Sequence, residues 1–430
     1  MKEIILEFQK ITANGQALGF FNKKAVFCYG VLPQEIAKVK ILKEKKDFII
    51  TEPIEIIKKN NLRIKPKESH YLSCSPFQIC QYEFEKQIKK EIIKEILKNF
   101  QEDFKINEFY FPKNIYQYRT KLEFSFIFDK KINLAFFKRN HFFEKIKTKN
   151  GCLLGSKEMN KIALEIIKIL NEEKIPFDIL KSLTIRESKN EKNFLVILTI
   201  KKEKKININY QKISQIQNLK GFILNYSSFK TPATTFEKIV KIYGDDFLKE
   251  KIKNLVLFYS YDCFFQNNLE MFELALDKIT QNLNFYEKPT TILELYSGVG
   301  TIGLNLKNYA KKIIGVEEIK NAVQWAIFNK KINNCNNYFP IFNKAEKVLD
   351  LLKEAQILIL DPPRSGLNKK ILKKIIEFKP KVIIYLSCQP LTQIRDYKIL
   401  KENYNLKNFY VFDFYPRTPH LETLMILETK

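Results

Sequence analysis

Val382-Ile383-Ile384-Tyr385-Leu386-Ser387-Cys388-Gln389-Pro390 is an apolar run of strand length that stops abruptly in a small polar residue, a thiol and a proline. An unbroken Val/Ile/Leu run bounded in this way reads as a strand covered on both faces, the mark of a parallel sheet. In an open α/β sheet, ligands sit just beyond the carboxyl ends of the strands. Cys388 then stands at the lip of a crevice. A cysteine taken alone reads as a small buried hydrophobe. The residues that the fold brings beside it decide whether this one does chemistry.

Working outward, strand-like and helix-like segments alternate from about residue 285. Strands are expected at 291–296, 312–317, 338–342, 356–360, 382–387, 409–414 and 423–428. Helices are expected at 301–310, 319–330, 345–353, 368–377 and 391–402. The pattern predicts a doubly wound, Rossmann-like α/β sheet of about seven strands. No helix separates the last two strands, so an antiparallel final pair is expected.

The chain of 430 residues is long enough for two or three domains with cores of their own. Residues 1–62 read as short strands and turns, with turn signals at Asn14-Gly15 and Tyr29-Gly30. They suggest a small basic β-barrel, either an RNA-binding module or a plain structural one. Residues 63–262 read as a central α+β region. It includes a Lys/Glu-rich amphipathic helix at 83–101, a helix at 157–173 and a strand at 194–200. Tyr118–Phe126 alternates as a strand should. Its basic and aromatic residues suit a nucleic-acid backbone, or simply a half-exposed strand. Residues 263–430 hold the α/β sheet.

The net charge of +26 comes from 74 basic and 48 acidic residues. Such an excess points to a polyanionic partner, most simply nucleic acid. Part of the lysine excess fits the AT-rich coding bias of a Lys-, Ile- and Asn-rich chain. No stretch is long and apolar enough to span a bilayer, and Met1–Lys10 has no apolar signal-peptide core. A cytoplasmic location is expected. Seven scattered cysteines do not look like a disulfide framework. Nothing suggests an obligate partner chain, so a monomer is expected.

Three motifs fall at strand ends. Glu294-Leu295-Tyr296-Ser297-Gly298-Val299-Gly300-Thr301-Ile302-Gly303 follows the first strand. Its glycines permit a tight turn and close approach to a ligand at a helix N-terminus. The spacing fits a dinucleotide fingerprint, and alone it does not separate NAD from S-adenosyl-L-methionine. Glu317, ending the second strand, would take a ribose diol in either case, or merely cap a helix. Leu360-Asp361-Pro362-Pro363-Arg364 ends the fourth strand. Two prolines stiffen the turn and hold Asp361 at the crevice. Asp-Pro-Pro at this place resembles motif IV of nucleic-acid methyltransferases. Arg364 stands where amino-methylating enzymes usually have an aromatic residue, which argues against exocyclic-amine chemistry. Finally, Asp413 to Glu422 brings a carboxylate near the C-terminus.

A nucleophilic thiol and a separate carboxylate base suit one reaction in particular, methylation of C5 of a uracil. That carbon becomes nucleophilic only after a thiolate adds to C6. A base must then remove the C5 proton so that the thiolate can leave. Cys388 suits the first task and Glu422 the second, with His420 as another candidate base.

Gln266 in Phe264-Phe265-Gln266-Asn267-Asn268, the glycine loop, Asp361-Pro362-Pro363-Arg364, Ser387-Cys388-Gln389-Pro390 and Pro416–Glu422 together resemble the RNA uracil-5-methyltransferase family. Residues 1–62 resemble its TRAM domain. Tyr118–Lys121 is similar to a recurrent stretch of its central domain. The resemblance implies that Gln266, Tyr296, Gly298, Gly300, Glu317 and Asp361 contact S-adenosyl-L-methionine, with Thr301 and Asn343 in positions that also touch it. It implies Cys388 as nucleophile and Glu422 as base. The TRAM-like barrel implies ribosomal RNA of the 23S type rather than tRNA. Many such members hold an iron–sulfur cluster on four cysteines, and Cys74, Cys80 and Cys152 match three of those places. Gln81-Tyr82-Glu83 follows Cys80 where a Cys-Gly-Gly-Cys pair is absent. A four-thiolate site is therefore incomplete: either Cys28 or a non-cysteine residue completes it, or the cluster has been lost or degraded, and loss is expected. The competing readings are the tRNA-targeting version of the same chemistry, a Rossmann NAD-dependent oxidoreductase, which leaves Asp361-Pro362-Pro363 and Cys388 unexplained, and a non-catalytic RNA-binding protein, supported by charge alone.

Overall fold

The computed structural model describes residues 2–141, 143–203, 206, 208–228, 235–283 and 291–430. The onset of alternation expected near residue 285 lies outside the described residues.

Strand Glu3–Ile11 alternates exposed and buried residues, and four further strands continue the pattern: Ala17–Phe21, Lys24–Cys28, Ile36–Glu44 and Phe48–Lys58. They form a closed barrel, since Ile36–Glu44 pairs with both Phe48–Lys58 and Glu3–Ile11. Closure removes the edges and leaves a core of Phe8, Val26 and Val39. Gly15 and Gly30 both have positive φ, as their turns require.

In the central region, the long strands Leu180–Ser188 and Asn193–Ile200 are buried almost throughout. Alternation explains why. Phe194, Val196 and Leu198 face a core shared with helix Lys157–Glu172, whereas Leu195 and Ile197 face the hairpin Phe247–Ile252/Leu255–Ser260. The strand expected from Tyr118 begins only at Lys121. Tyr118, Arg119 and Thr120 precede it as a connecting segment whose side chains and amides are used elsewhere.

The C-terminal sheet has eight strands. Five parallel strands run in the order Tyr338–Phe342, Lys312–Glu317, Thr291–Leu295, Ile357–Leu360, Val382–Ser387. Glu422–Thr429 pairs antiparallel with Val382–Ser387 and with Tyr404–Phe412, as the missing helix foretold. Leu293, Leu295, Leu358, Leu360, Ile383 and Tyr385 line one face; Ile292, Ile357, Ile359, Ile384 and Leu386 line the other. The apolar runs are therefore continuous because both faces are covered.

Several expectations need correction. The eighth strand is Glu108–Tyr110, a three-residue segment that joins the sheet edge parallel to Tyr404–Phe412. Such a segment is too short to show a period. The helix expected at 301–310 ends at Asn305, where Leu306 N–H turns back to the Gly303 carbonyl. The helix expected at 345–353 is two short 3₁₀ turns, Ala345–Lys347 and Leu349–Lys353. The strand expected at 409–414 runs Tyr404–Phe412, so Asp413 and Phe414 lie beyond it.

Candidate active site at the carboxyl ends of the sheet

Strand register builds the centre of the site. Ser387 pairs with Thr423 across the antiparallel ladder, so the next residues outward are Cys388 and Glu422. On the other side, Leu360 pairs with Tyr385, which puts Asp361 at the neighbouring strand end. Leu295 pairs with Leu360, which brings Tyr296 beside Asp361. Below these residues Gln393 ties the two strands together. Its amide donates to the carbonyls of Tyr385 (2.7 Å) and Thr423 (3.2 Å), and its oxygen accepts from Thr423 Oγ1 (2.7 Å).

Electrostatics mark the same three residues. Cys388 is half-buried, and its thiol is pushed up to about 11, first by burial and then by Glu422 and Asp361. Arg364 opposes this through its charge and a hydrogen bond to the thiol. Burial raises Asp361 to about 7. Glu422 is buried and is held well above the usual carboxylate range by burial and by Asp361, with a hydrogen bond from Tyr415 in the opposite sense. His420 is pushed down to about 4 by burial and by the nearby cations Arg364 and Arg119. Perturbed groups gathered at one strand end are characteristic of a reactive site.

The glycine loop is shaped for a ligand. Tyr296 has φ 65°, a left-handed conformation unusual for a bulky residue. Gly298 also has positive φ, and a Cβ there would meet nothing within 4 Å. The space above Gly298 is open for a ligand. Gly303 serves packing instead, since a Cβ there would come within 2.4 Å of Glu294 and of the Tyr338 ring. Thr301 begins the following helix. Glu317 accepts from Gly298 N–H (2.9 Å) and Ile319 N–H (2.8 Å), so its carboxylate both steadies the loop and caps a helix start. Asn343 N–H donates to the Glu317 carbonyl. A cleft of about 650 Å³ opens beside the loop, lined by Tyr296, Asn343, Glu346, Pro363 and Leu367 among others.

Gln266 reaches the site from outside the sheet. Its backbone carbonyl accepts from Thr120 Oγ1 (2.9 Å), and the Asn267 carbonyl accepts from Thr120 N–H (3.0 Å). Tyr118 Oη donates to the Pro416 carbonyl (3.2 Å). The 118–120 segment thus fastens both Gln266 and the loop leading to Glu422. The side-chain oxygens of Gln266 and Ser297 are buried without a hydrogen-bond partner. Buried polar atoms left open in this way are costly unless a ligand engages them.

The loop before Glu422 rests on a buried charge network that the sequence concealed. Lys89 Nζ donates to Asp413 Oδ1 (2.6 Å) and to Glu85 Oε1 (2.8 Å). Tyr82 donates to Asp413 Oδ2 (3.0 Å), and Arg417 N–H to Glu85 Oε1 (2.6 Å). Glu85 and Lys89 belong to helix Tyr82–Asn99, which reads as a charged surface helix, yet both are fully buried. The i,i+4 spacing was the available signal, and it pointed equally to solvent.

Cys74 and Cys152 come together away from this site, with Glu68 and His70 beside them. Cys80 does not join them. Its thiol donates to the Phe77 carbonyl.

The family model described as tRNA (uracil-5-)-methyltransferase matches residues 81–430. Fusobacterium nucleatum has a protein named as an uncharacterized RNA methyltransferase to which this chain is 30% identical, covering 99% of this chain and 96% of that one. A similarly named protein of Clostridium acetobutylicum is 28% identical, covering 100% of this chain and 98% of its own length. Among solved structures, the Pyrococcus abyssi tRNA (uracil-54, C5)-methyltransferase in complex with S-adenosyl-L-homocysteine superposes with a TM-score of 0.78. It is 21% identical and covers 99% of this chain and 100% of that one, so the two share a fold.

Proposed function

The chain belongs to the tRNA (uracil-5-)-methyltransferase family and is an RNA (uracil-5-)-methyltransferase, and from that premise we propose that it forms 5-methyluridine through a covalent link between Cys388 and C6 of the target uracil. The observation that carries this reading is the register that sets Cys388 beside Glu422 with Asp361 at the adjoining strand end. S-adenosyl-L-methionine, when bound, supplies an electrophilic methyl group. The open space over Gly298, the unpartnered Gln266 and Ser297 oxygens and the adjacent cleft fit it. In this reading Gly298, Gly300 and Thr301 cradle it. Glu317 takes the ribose hydroxyls, and Gln266, Tyr296, Asn343 and Asp361 complete the contacts.

The resting thiol of Cys388 is protonated at neutral pH, and Arg364 is the counter-charge that favours its thiolate. The thiolate adds to C6, and the electron pair of the C5–C6 bond moves to C5 and the O4 enolate. C5 then takes the methyl group, whose bond to the sulfonium sulfur breaks with the electron pair left on sulfur as a neutral thioether. Glu422, once ionised, removes the C5 proton, and the C6–S bond breaks to return the Cys388 thiolate. The base must leave its stack to reach the site, so a loop or locally opened helix is the expected target.

The substrate proposed first is 23S rRNA, which the resemblance of residues 1–62 to a TRAM domain implies. A second reading, tRNA, is favoured by one observation. The Pyrococcus enzyme named for tRNA matches over 99% of this chain, barrel region included, so a chain with this barrel also serves a tRNA enzyme. Labelled S-adenosyl-L-methionine offered with ribosomal RNA and with tRNA distinguishes them: transfer to ribosomal RNA is expected, transfer to tRNA alone selects the second reading, and transfer to neither sinks both. Glu422→Gln is expected to accumulate an RNA–protein adduct that survives denaturation, whereas Cys388→Ser forms none. An adduct in the Cys388 variant would remove Cys388 from its role.

A further inference from the structure

The Cys74–Cys152 cluster does not fit a four-thiolate iron–sulfur cluster. Fe–S clusters are held by cysteine thiolates, and among the described residues only two sulfurs converge here. Cys80 is turned to the Phe77 carbonyl, and Cys28 lies in the barrel core, with its thiol directed to the Tyr29 carbonyl. In place of further thiols stand a carboxylate and an imidazole. One ligand atom each from Glu68, His70, Cys74 and Cys152 lies within 4.8 Å of every other.

We propose that these four residues form a site for a single zinc ion, Cys₂HisGlu, which ties the turn at 68–74 to the loop at Cys152. Sulfur, imidazole nitrogen and carboxylate oxygen are the three ligand types of protein zinc sites. Around a tetrahedral ion at about 2.0–2.3 Å, ligands stand roughly 3.3–3.8 Å apart. The four atoms need to draw together by only about 1 Å. A second observation points the same way. His70 Nε2 is buried and has no hydrogen-bond partner, although Glu68 Oε1 lies 3.3 Å from it. The imidazole is aimed at the other donors and bonded to none of them through that atom.

The surroundings resemble the outer layer of a metal site. Glu68 accepts from Gln78 Nε2 (2.6 Å) at one oxygen and from Leu153 N–H (2.7 Å) at the other. Such partners orient a ligating carboxylate. The backbone of Cys152 is fixed by Asn160, whose oxygen accepts from Cys152 N–H (2.8 Å) and whose amide donates to its carbonyl (3.0 Å). Two thiolates and a carboxylate around a dication leave one negative charge, and Arg119 is close enough for Cys152 to feel its charge. The site is mechanically connected to the reaction centre. Gln117 and Arg119 donate backbone N–H groups to the carbonyls of Leu153 and Leu154, and the intervening Tyr118 holds Pro416. An ion at Cys152 therefore braces the segment that holds Gln266 and the Glu422 loop.

The test is metal content of the full chain, purified anaerobically, with acid-labile sulfide measured in parallel. About one zinc per chain and no labile sulfide are expected. Stoichiometric iron with sulfide would overturn the proposal, as would a chain that holds no zinc and takes up none after chelator treatment. Cobalt added to the stripped chain should give the intense visible bands of a tetrahedral ion and a near-ultraviolet thiolate charge-transfer band; their absence also counts against it. Cys74→Ser and Cys152→Ser are expected to lose the ion, and Cys80→Ser to keep it. Loss in Cys80→Ser equal to that in Cys152→Ser refutes the ligand set. Should the ligand variants fail to fold, Gln78→Ala serves instead. It is expected to bind zinc about 10- to 100-fold more weakly, and unchanged affinity contradicts the site.

Discussion

Two cysteine-and-carboxylate groupings are linked through the 117–120 segment, and they are assembled in different ways. Cys388 meets Glu422 and Asp361 because strands of one sheet end together. Cys74 meets Cys152 because the turn at 68–74 folds against a loop some eighty residues further along the chain. The strand-end grouping keeps its thiol half-exposed. The loop grouping spends both oxygens of Glu68 on neighbouring donors and buries His70 and Cys152. One arrangement leaves bonding capacity for a transient guest. The other offers buried donors to a permanent guest that would hold the chain together, which is what separates a reaction centre from a brace.

The sharpest way to break this comparison is to truncate one sulfur on each side. Cys388→Ala is expected to lower methyl transfer by at least ~10³-fold, in the range seen when a covalent nucleophile is removed. Its melting temperature should barely move, since a half-exposed side chain that anchors nothing contributes little to stability. Cys152→Ala should do the reverse, lowering the melting temperature by several degrees while residual folded protein still transfers methyl groups. Paired thermal melts and turnover measurements decide it. If Cys388→Ala melts as low as Cys152→Ala, the distinction between guest site and brace fails.

A smaller effect concerns what supports the reaction centre from below. Lys89 is the shared cation of Asp413 and Glu85, and all three side chains are fully buried. Lys89→Met retains most of the side-chain volume but leaves buried Asp413 without its counter-ion and Glu85 with Arg417 alone, 3.3 Å away. Breaking a buried ion pair from one side costs about 3–5 kcal/mol. Denaturant unfolding should show a loss of that order. Turnover should also fall, because Asp413 and Arg417 flank the loop that leads to Glu422. A variant of unchanged stability would mean that the network is wet and loosely held.

The difference between the two groupings also governs how much the sequence revealed. Strand periodicity is local, so the apolar runs at 291–295 and 382–387 betrayed both the sheet and the ends where ligands gather. Proline and glycine marked Asp361 and Gly298 for the same reason. Contacts that join distant segments left no such trace. Glu108–Tyr110 pairs with a strand some three hundred positions later, and three residues carry no period. Glu85 and Lys89 have the spacing of a solvent-exposed helix pair and became buried only because helix Tyr82–Asn99 lies under the 413–417 loop. The family resemblance grouped Cys74 with Cys80 and Cys152 and missed Glu68 and His70. A carboxylate and an imidazole near a thiol are common in any sequence, and only folding shows that they converge.

The mildest test lies beneath the glycine loop. Glu294 is buried, and burial pushes its carboxyl up to about 8, although Tyr338 Oη and Gly303 N–H both donate to it. Unlike Glu68, which is paired with donors on both oxygens, Glu294 lacks enough donors to carry a charge comfortably. At neutral pH it is therefore mostly protonated in the fold, while in the unfolded chain it ionises near 4.5. Between those values the folded state binds the extra proton, so stability falls as pH rises through the window. Glu294→Gln replaces the protonated carboxyl with a neutral group of the same shape. Its denaturation midpoint should match the parent below the window and exceed it above, with the pH slope between them flattened. If the two proteins lose stability in parallel as pH rises, Glu294 is already ionised in the fold. The carboxyl under the glycine loop would then be satisfied in the same way as the one beside Cys74.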